Sequence, residues 1–192
     1  HTDFKTEWWY FTGNLTGDDG RDYGYQLTFF RQGVQQKPGS GTRFAVGDIK
    51  LAHFAVTEIS RERFHYAQKV SRGAFGEAGF ADGDRVAWID DWELRVREGG
   101  GFALQAREDG FELELTLTPR KPPVFHGENG VSQKSVGAGR ASHYYSFTRL
   151  EAEGRLTIDG RAVAVQGWSW FDQEWATNQL TEDQTGWDWL SL

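Results

Sequence analysis

The sequence predicts an antiparallel all-β protein, built as a barrel or a sandwich. Three observations carry this. Apolar residues alternate with polar ones at a period of two over much of the chain. Glycine- and aspartate-rich turn signals separate those runs. No window shows the amphipathic 3.6-residue period of a helix.

In chain order the expected strands are 6–16, 21–32, 49–59, 62–70, 85–98, 102–107, 111–118, 141–157, 161–172 and 186–192. In the clearest of them Phe111, Leu113, Leu115 and Leu117 alternate with Glu112, Glu114, Thr116 and Thr118, so one face meets a core and the other meets water. Tyr23, Tyr25, Leu27 and Phe29 form a similar row. A third row holds Val86, Trp88, Trp92, Leu94 and Val96 and is interrupted by Asp90, which is either a buried acid or the site of a bulge or structural hydrogen bond. Gly17-Asp18-Asp19-Gly20 marks a turn, and Glu108-Asp109-Gly110 and Asp159-Gly160 have the look of tight hairpins. Segments 33–48 and 119–140 read as loops because of their Pro and Gly content. The second is expected to cross the open end of the barrel, and loops of that length tend to be functional or mobile. Short hairpins at even spacing favour a meander closing into a barrel.

Composition narrows the function. The 192 residues suffice for a sizeable core, and a net charge of −7 argues against nucleic-acid backbones and anionic lipid surfaces as partners. No apolar run is long enough to span a membrane as a helix. There is no Cys, hence no disulfide and no thiol nucleophile. The five His lack metal-site spacing, so neither a metal nor another cofactor is expected. Glycine-rich phosphate loops and the Gly-x-Ser-x-Gly elbow are absent. Nine Trp fit either an ordinary β core or a cavity with flat apolar walls. The chain opens on His1 without an initiator Met or signal peptide and is expected to be a processed or trimmed product, while Gly186 to Leu192 reads as a strand only just begun.

Candidate chemistry concentrates in Gly167-Trp168-Ser169-Trp170-Phe171-Asp172-Gln173-Glu174-Trp175. In an extended strand Trp168, Trp170, Asp172 and Glu174 share one face. A carboxyl held beside indoles and a second acid keeps its proton to higher pH, as a general acid requires. Aromatic faces would stabilise a cation formed by protonating an alkene. The structural alternative turns the Trp residues inward and leaves both acids in water. His53 either faces a cavity with Leu51 and Ala55 or is a wall residue, and His126 lies in the long loop as part of a lid or a plain turn. Glu7 is placed to seal a barrel end by pairing with an Arg such as Arg149.

Seven segments in order carry a resemblance. They are Glu7-Trp8-Trp9-Tyr10, Tyr25 to Arg31, Ala52-His53-Phe54-Ala55, Pro122-Pro123-Val124-Phe125-His126-Gly127, Tyr144 to Arg149, Phe171 to Trp175, and Gly186-Trp187-Asp188-Trp189. Together they resemble the predicted secreted hydrolases related to attachment-cluster protein H (AttH-like proteins). That group sits with the carotenoid 1,2-hydratases (hydroxyneurosporene synthases) in one lipocalin-like superfamily. The resemblance covers essentially the whole chain. It implies a lipocalin-like barrel over residues 1–180, with 181–192 as a linker and the first strand of a second barrel. It also implies a periplasmic or secreted location. In the hydratases an acidic and aromatic cluster carries activity, and Asp172 and Trp175 are the matching positions here. Gln173 stands where the hydratases tend to have a His.

Two function classes follow. One is an enzyme that binds an apolar small molecule (lipid, isoprenoid or polyketide-like) in a barrel or inter-barrel cavity and acts on it by carboxyl acid/base chemistry of hydratase, isomerase or cyclase type. The other is a non-catalytic carrier of such a ligand. The candidate site has Asp172 as the acid and Trp168, Trp170, Trp175, Tyr145, His126 and His53 as ligand contacts. The C-terminal strand offers a route to self-association.

Overall fold

The computed structural model describes residues 1–34, 46–186, 188 and 189. Its strands are β1 (Thr6–Gly17), β2 (Asp22–Gly33), β3 (Asp48–Glu58), β4 (Arg63–Ser71), β5 (Ala78–Phe80), β6 (Arg85–Ile89), β7 (Trp92–Val96), β8 (Phe102–Glu108), β9 (Phe111–Pro119), β10 (Val124–Phe125), β11 (Val131–Gln133), β12 (Ala141–Ile158) and β13 (Arg161–Ala176). A 3-10 turn at Ile59–Arg61 is the one helical element among the described residues. No described helix is long and apolar enough to cross a membrane.

All ladders are antiparallel and form one sheet in the order β4-β3-β2-β1-β13-β12-β9-β8-β7-β6-β5. The pairing of β1 with β13 joins two meanders into a nearly closed, lipocalin-like barrel. The free edges β4 and β5 are tied by side chains, not by a backbone ladder. Ser71 Oγ donates to Glu77 at 2.7 Å across the β4–β5 link, and Lys69 of β4 pairs with Asp91 at 2.6 Å and Glu108 at 3.4 Å. Both expected hairpins form: Asp159 (φ 51°) and Gly160 (φ 77°) turn β12 into β13 with two positive φ values, and Asp109-Gly110 turns β8 into β9 with Gly110 alone positive (86°).

Inward positions follow the alternation. Tyr23, Tyr25, Leu27 and Phe29 of β2 and Phe111, Leu113, Leu115 and Leu117 of β9 are all buried, packed with Phe11, Phe54 and Trp92. Each fully buried side chain of this size contributes roughly 1.5–3 kcal/mol. Most of the lumen is filled in this way; one end is not.

Three expectations are corrected. The strand 85–98 is two strands: Asp90 takes a positive φ of 53°, is exposed, and turns β6 into β7. That turn shifts the parity, so Ala87 and Ile89 face inward while Trp88 lies outside, its N–H donating to Gly76 O at 3.0 Å. Segment 119–140 does not cross the barrel mouth as a loop. It contributes β10 and β11, which pair with β12. They are joined by a tight turn through Asn129 (φ 53°) and Gly130 (φ 89°), closed by hydrogen bonds of 3.0 Å between Glu128 and Val131. Glu7 pairs with Arg31, 3.7 Å away, and not with Arg149, which stacks on Trp168. Of the expected 186–192 strand, Gly186, Asp188 and Trp189 are described, and the Trp189 ring packs against Tyr10 and Trp170. The remainder of the expected 186–192 strand and most of the 33–48 loop lie outside the described residues.

Candidate functional site

The end of β13 presents side chains to both sides of the barrel wall. Phe171 and Gln173 point into the barrel, so the even-numbered Trp168, Trp170, Asp172 and Glu174 point out. These four share one face, as the alternation predicts. The face is outside the lumen, yet Asp172 is only 3% exposed because other elements cover it.

Register builds the cover. Ser146 of β12 and Tyr10 of β1 flank Asp172, and Tyr144 flanks Glu174. The β10–β11 strap lies beyond β12. It is anchored by the His126 N–H donating to Tyr144 O at 3.0 Å, and it stacks the His126 ring on Tyr144 at 4.0 Å. The strap turns sharply at Gly127, where φ is 67° and a Cβ would lie 2.1 Å from Val131 O. Trp189 closes the other side. Its indole N–H donates to Tyr144 OH at 3.0 Å and its ring meets Tyr10 and Trp170 edge-on.

Within this enclosure Ser146, which is fully buried, donates to Asp172 Oδ1, and Tyr144 OH donates to the same oxygen at 3.2 Å. His126 Nε2 lies 2.6 Å from Ser146 Oγ. A hydroxyl has one proton to give. With Asp172 ionised, Ser146 gives it to the carboxylate and His126 donates to Ser146; with Asp172 protonated, the sense reverses. The chain His126–Ser146–Asp172 can therefore move a proton in either direction.

Burial raises the Asp172 pKa. The hydrogen bonds from Ser146 and Tyr144 and the nearby Trp170 and His126 pull it down by less. Among the described residues the buried Trp170 Nε1 has no well-formed hydrogen bond, so its contribution comes from proximity to the carboxyl. The like charge of Glu174 is not among the causes. Glu174 forms an ion pair with Lys134 at 3.0 Å, and that Lys lies over the Tyr144 ring. Burial also pushes the Tyr144 hydroxyl up to about 12, so it stays a donor.

A second buried polar cluster lies inside the barrel mouth. Gln173 Nε2 donates to Glu7 Oε1 at 2.8 Å and Tyr145 OH donates to Gln173 Oε1 at 2.6 Å. Glu7 is 1% and Arg31 4% exposed. Arg31 also donates to the carbonyls of His1 and Phe4. Burial raises the Glu7 pKa, opposed by the hydrogen bond from Gln173, then by the amino group of His1 and by Arg31; the His1 ring also lies 2.6 Å from Glu7.

The sequence-derived candidates thus divide. Asp172, Trp170 and His126 come together outside the wall. Tyr145 and Trp175 face the other way, with Trp175 stacked between the rings of His1 and His143. Trp168 is 43% exposed and carries Arg149 on its face, one turn of the pleat away from Trp170. His53 occupies the outer face in the same cross-strand row as Asp172, through Tyr10 and Thr28, but three strands along and packed against Phe30. Ser146, Tyr144 and Trp189 lie in segments that carry the family resemblance, but sequence alone assigns none of them to the site: the β12–β13 register brings Ser146 and Tyr144 to Asp172, and the chain beyond β13 brings back Trp189. Among the described residues no three His, Asp or Glu side chains converge as a metal site.

Fold and cluster define a lipocalin-like barrel with a buried carboxyl on its wall. The chain belongs to the AttH-like family, whose model matches residues 1–192. A protein described as AttH from Nitrosomonas europaea has a similar crystal structure, with a TM-score of 0.83 and 32% identity over 95% of this chain and 55% of that one. Kievitone hydratase from Nectria haematococca shares the fold, with a TM-score of 0.67 and 13% identity over 90% of this chain and 48% of that one. The chain therefore spans about half the length of these structures. No curated protein sequence matches it.

Proposed function

We propose that this barrel binds an apolar small molecule, of lipid, isoprenoid or polyketide type, against its outer wall. Asp172 acts on it there as an acid/base of hydratase, isomerase or cyclase type. The single observation that carries the reading is the buried Asp172 carboxyl joined through Ser146 to His126. A carboxyl that keeps its proton beyond the usual range is the group needed to protonate an alkene, and the relay returns the proton afterwards. Tyr10, Trp170 and Trp189 surround it with aromatic surface. That a hydratase is built on the same fold supports the reaction class. Trp189 or the strap must shift for a substrate atom to reach Asp172, since both oxygens of the site are covered.

The test is an incubation of full-length protein with lipid extract of the producing cell in heavy water, followed by mass spectrometry. Wild type should place carbon-bound deuterium in an apolar metabolite and Asp172→Asn should not. Label that persists with Asp172→Asn removes Asp172 from the chemistry. Specific retention of a ligand with no label from either protein supports the carrier class instead.

A further inference from the structure

We propose that the open end of the barrel is a second binding site, for a neutral apolar molecule bearing a hydroxyl group. It goes beyond the chemistry at Asp172, which lies on the opposite face of the same strand.

The end of the lumen left unfilled is a cavity of about 560 Å³. Small-molecule pockets run from about 300 to 1,000 Å³. A barrel that served only as a filled scaffold would not leave such a space. Trp9, Val86, Leu94, Phe102 and Phe171 give it apolar walls. Glu7, Arg31, Gln173 and Tyr145 form one polar patch within it.

The patch specifies the head group. Arg31 is more than nine-tenths buried, yet its Nε–H has no hydrogen-bond partner among the described residues. The nearest carboxylate oxygen on that side, Glu7 Oε2, is 3.7 Å away, beyond hydrogen-bond range. One oxygen placed between them could accept from Arg31 and donate to Glu7. An alcohol does both at once; a ketone only accepts. A carboxylate would set its charge against Glu7, whereas a neutral hydroxyl does not. Tyr145 has given its proton to Gln173 and keeps a lone pair, and Gln173 keeps a second N–H, so further oxygen functions on the ligand also find partners.

Isothermal titration calorimetry of the full-length protein with 1-octanol, 2-octanone and octanoate tests this. We expect 1-octanol to bind at least about tenfold more tightly than octanoate, with 2-octanone between them. Val96 and Ala81 sit on the exposed rim of the cavity. Val96→Trp, and independently Ala81→Phe, should each weaken octanol binding by about tenfold or more while far-ultraviolet circular dichroism stays unchanged. Using two rim variants keeps the test open should one of them fail to fold. Asp172→Asn should bind octanol as wild type does, which separates this site from the proposed catalytic one. The proposal is overturned if octanol does not bind, if octanoate binds as tightly, if neither rim variant weakens octanol, or if Asp172→Asn abolishes its binding.

Discussion

Asp172 and Gln173 are consecutive residues of β13, yet their side chains complete two different buried polar clusters on opposite sides of the barrel wall. Strand geometry alone produces this, since neighbours alternate faces. The wall is one residue thick, so a change at one position can be read against the other.

The first prediction uses that separation. Asp172→Asn retains an oxygen that can accept from Ser146 and Tyr144, so the fold should survive with no large fall in Tm at neutral pH. Turnover should fall by roughly 100- to 10,000-fold, the usual cost of losing a general acid. Ligand binding should hold. A large fall in Tm with unchanged turnover would make Asp172 a structural group and end the catalytic reading.

Ser146→Ala removes the link between His126 and Asp172. Its hydrogen bond is the largest influence lowering the Asp172 pKa. The variant should therefore titrate Asp172 at higher pH than wild type, as read from the carboxyl carbon by NMR. Losing a buried hydroxyl that serves two partners should also cost about 1–3 kcal/mol in urea denaturation. If Asp172 titrates as before, the hydrogen bond does not couple the two groups in solution.

The sequence made much of this legible, because alternation is a local property. The inward rows of β2 and β9 and the shared face of Trp168, Trp170, Asp172 and Glu174 could be read directly. What covers that face could not. The face lies outside the barrel, where water would be the simplest expectation, and it is buried only by a strap from residues 124–133 and by Trp189. Asn129-Gly130 is a hairpin signal inside what composition marks as a loop. Weighing that dipeptide above the surrounding Pro and Gly would have found the strap. The Glu7–Arg31 pair and the Ser146–Asp172 contact each join residues directly opposite in one hairpin, β1–β2 and β12–β13, and depend on exact register well away from the turn; in β12 an irregularity between Phe147 and Leu150 shifts that register, which alternation alone does not encode.

The ion pair at the barrel mouth yields a stability contrast. Arg31→Met takes the guanidinium from buried Glu7, leaving it with His1 2.6 Å away, and should cost up to roughly 3–5 kcal/mol. Arg120 and Glu151 form an exposed pair on the outer surface, and Arg120→Met should cost less than about 1 kcal/mol. Adding Glu7→Gln to Arg31→Met should recover part of the loss, because no charge then remains buried. Denaturant midpoints for the four proteins decide it. Equal costs for Arg31 and Arg120 would mean that the mouth is far wetter than its burial indicates.

The last prediction concerns pH. Burial holds the Asp172 pKa above its ordinary value of 3.8. Across the interval between the two values the native protein keeps a proton that the unfolded chain has released. Stability must then fall as pH rises through that interval, because the unfolded state binds fewer protons. The contribution of this group is full below about 3.8, and it is lost as pH climbs through the raised native value. Asn at the same position binds no proton in either state, so the variant lacks this slope. The Tm of Asp172→Asn minus that of wild type should be smallest near pH 4 and should grow toward neutrality, levelling off once wild-type Asp172 is ionised in both states. Glu7, whose pKa is raised for the same reason, is present in both proteins and cancels in the difference. Differential scanning calorimetry from about pH 4 to about pH 8 measures it. A difference that stays constant across the range would show that Asp172 titrates normally, and that its enclosure by Trp189 and the strap does not keep water from the carboxyl.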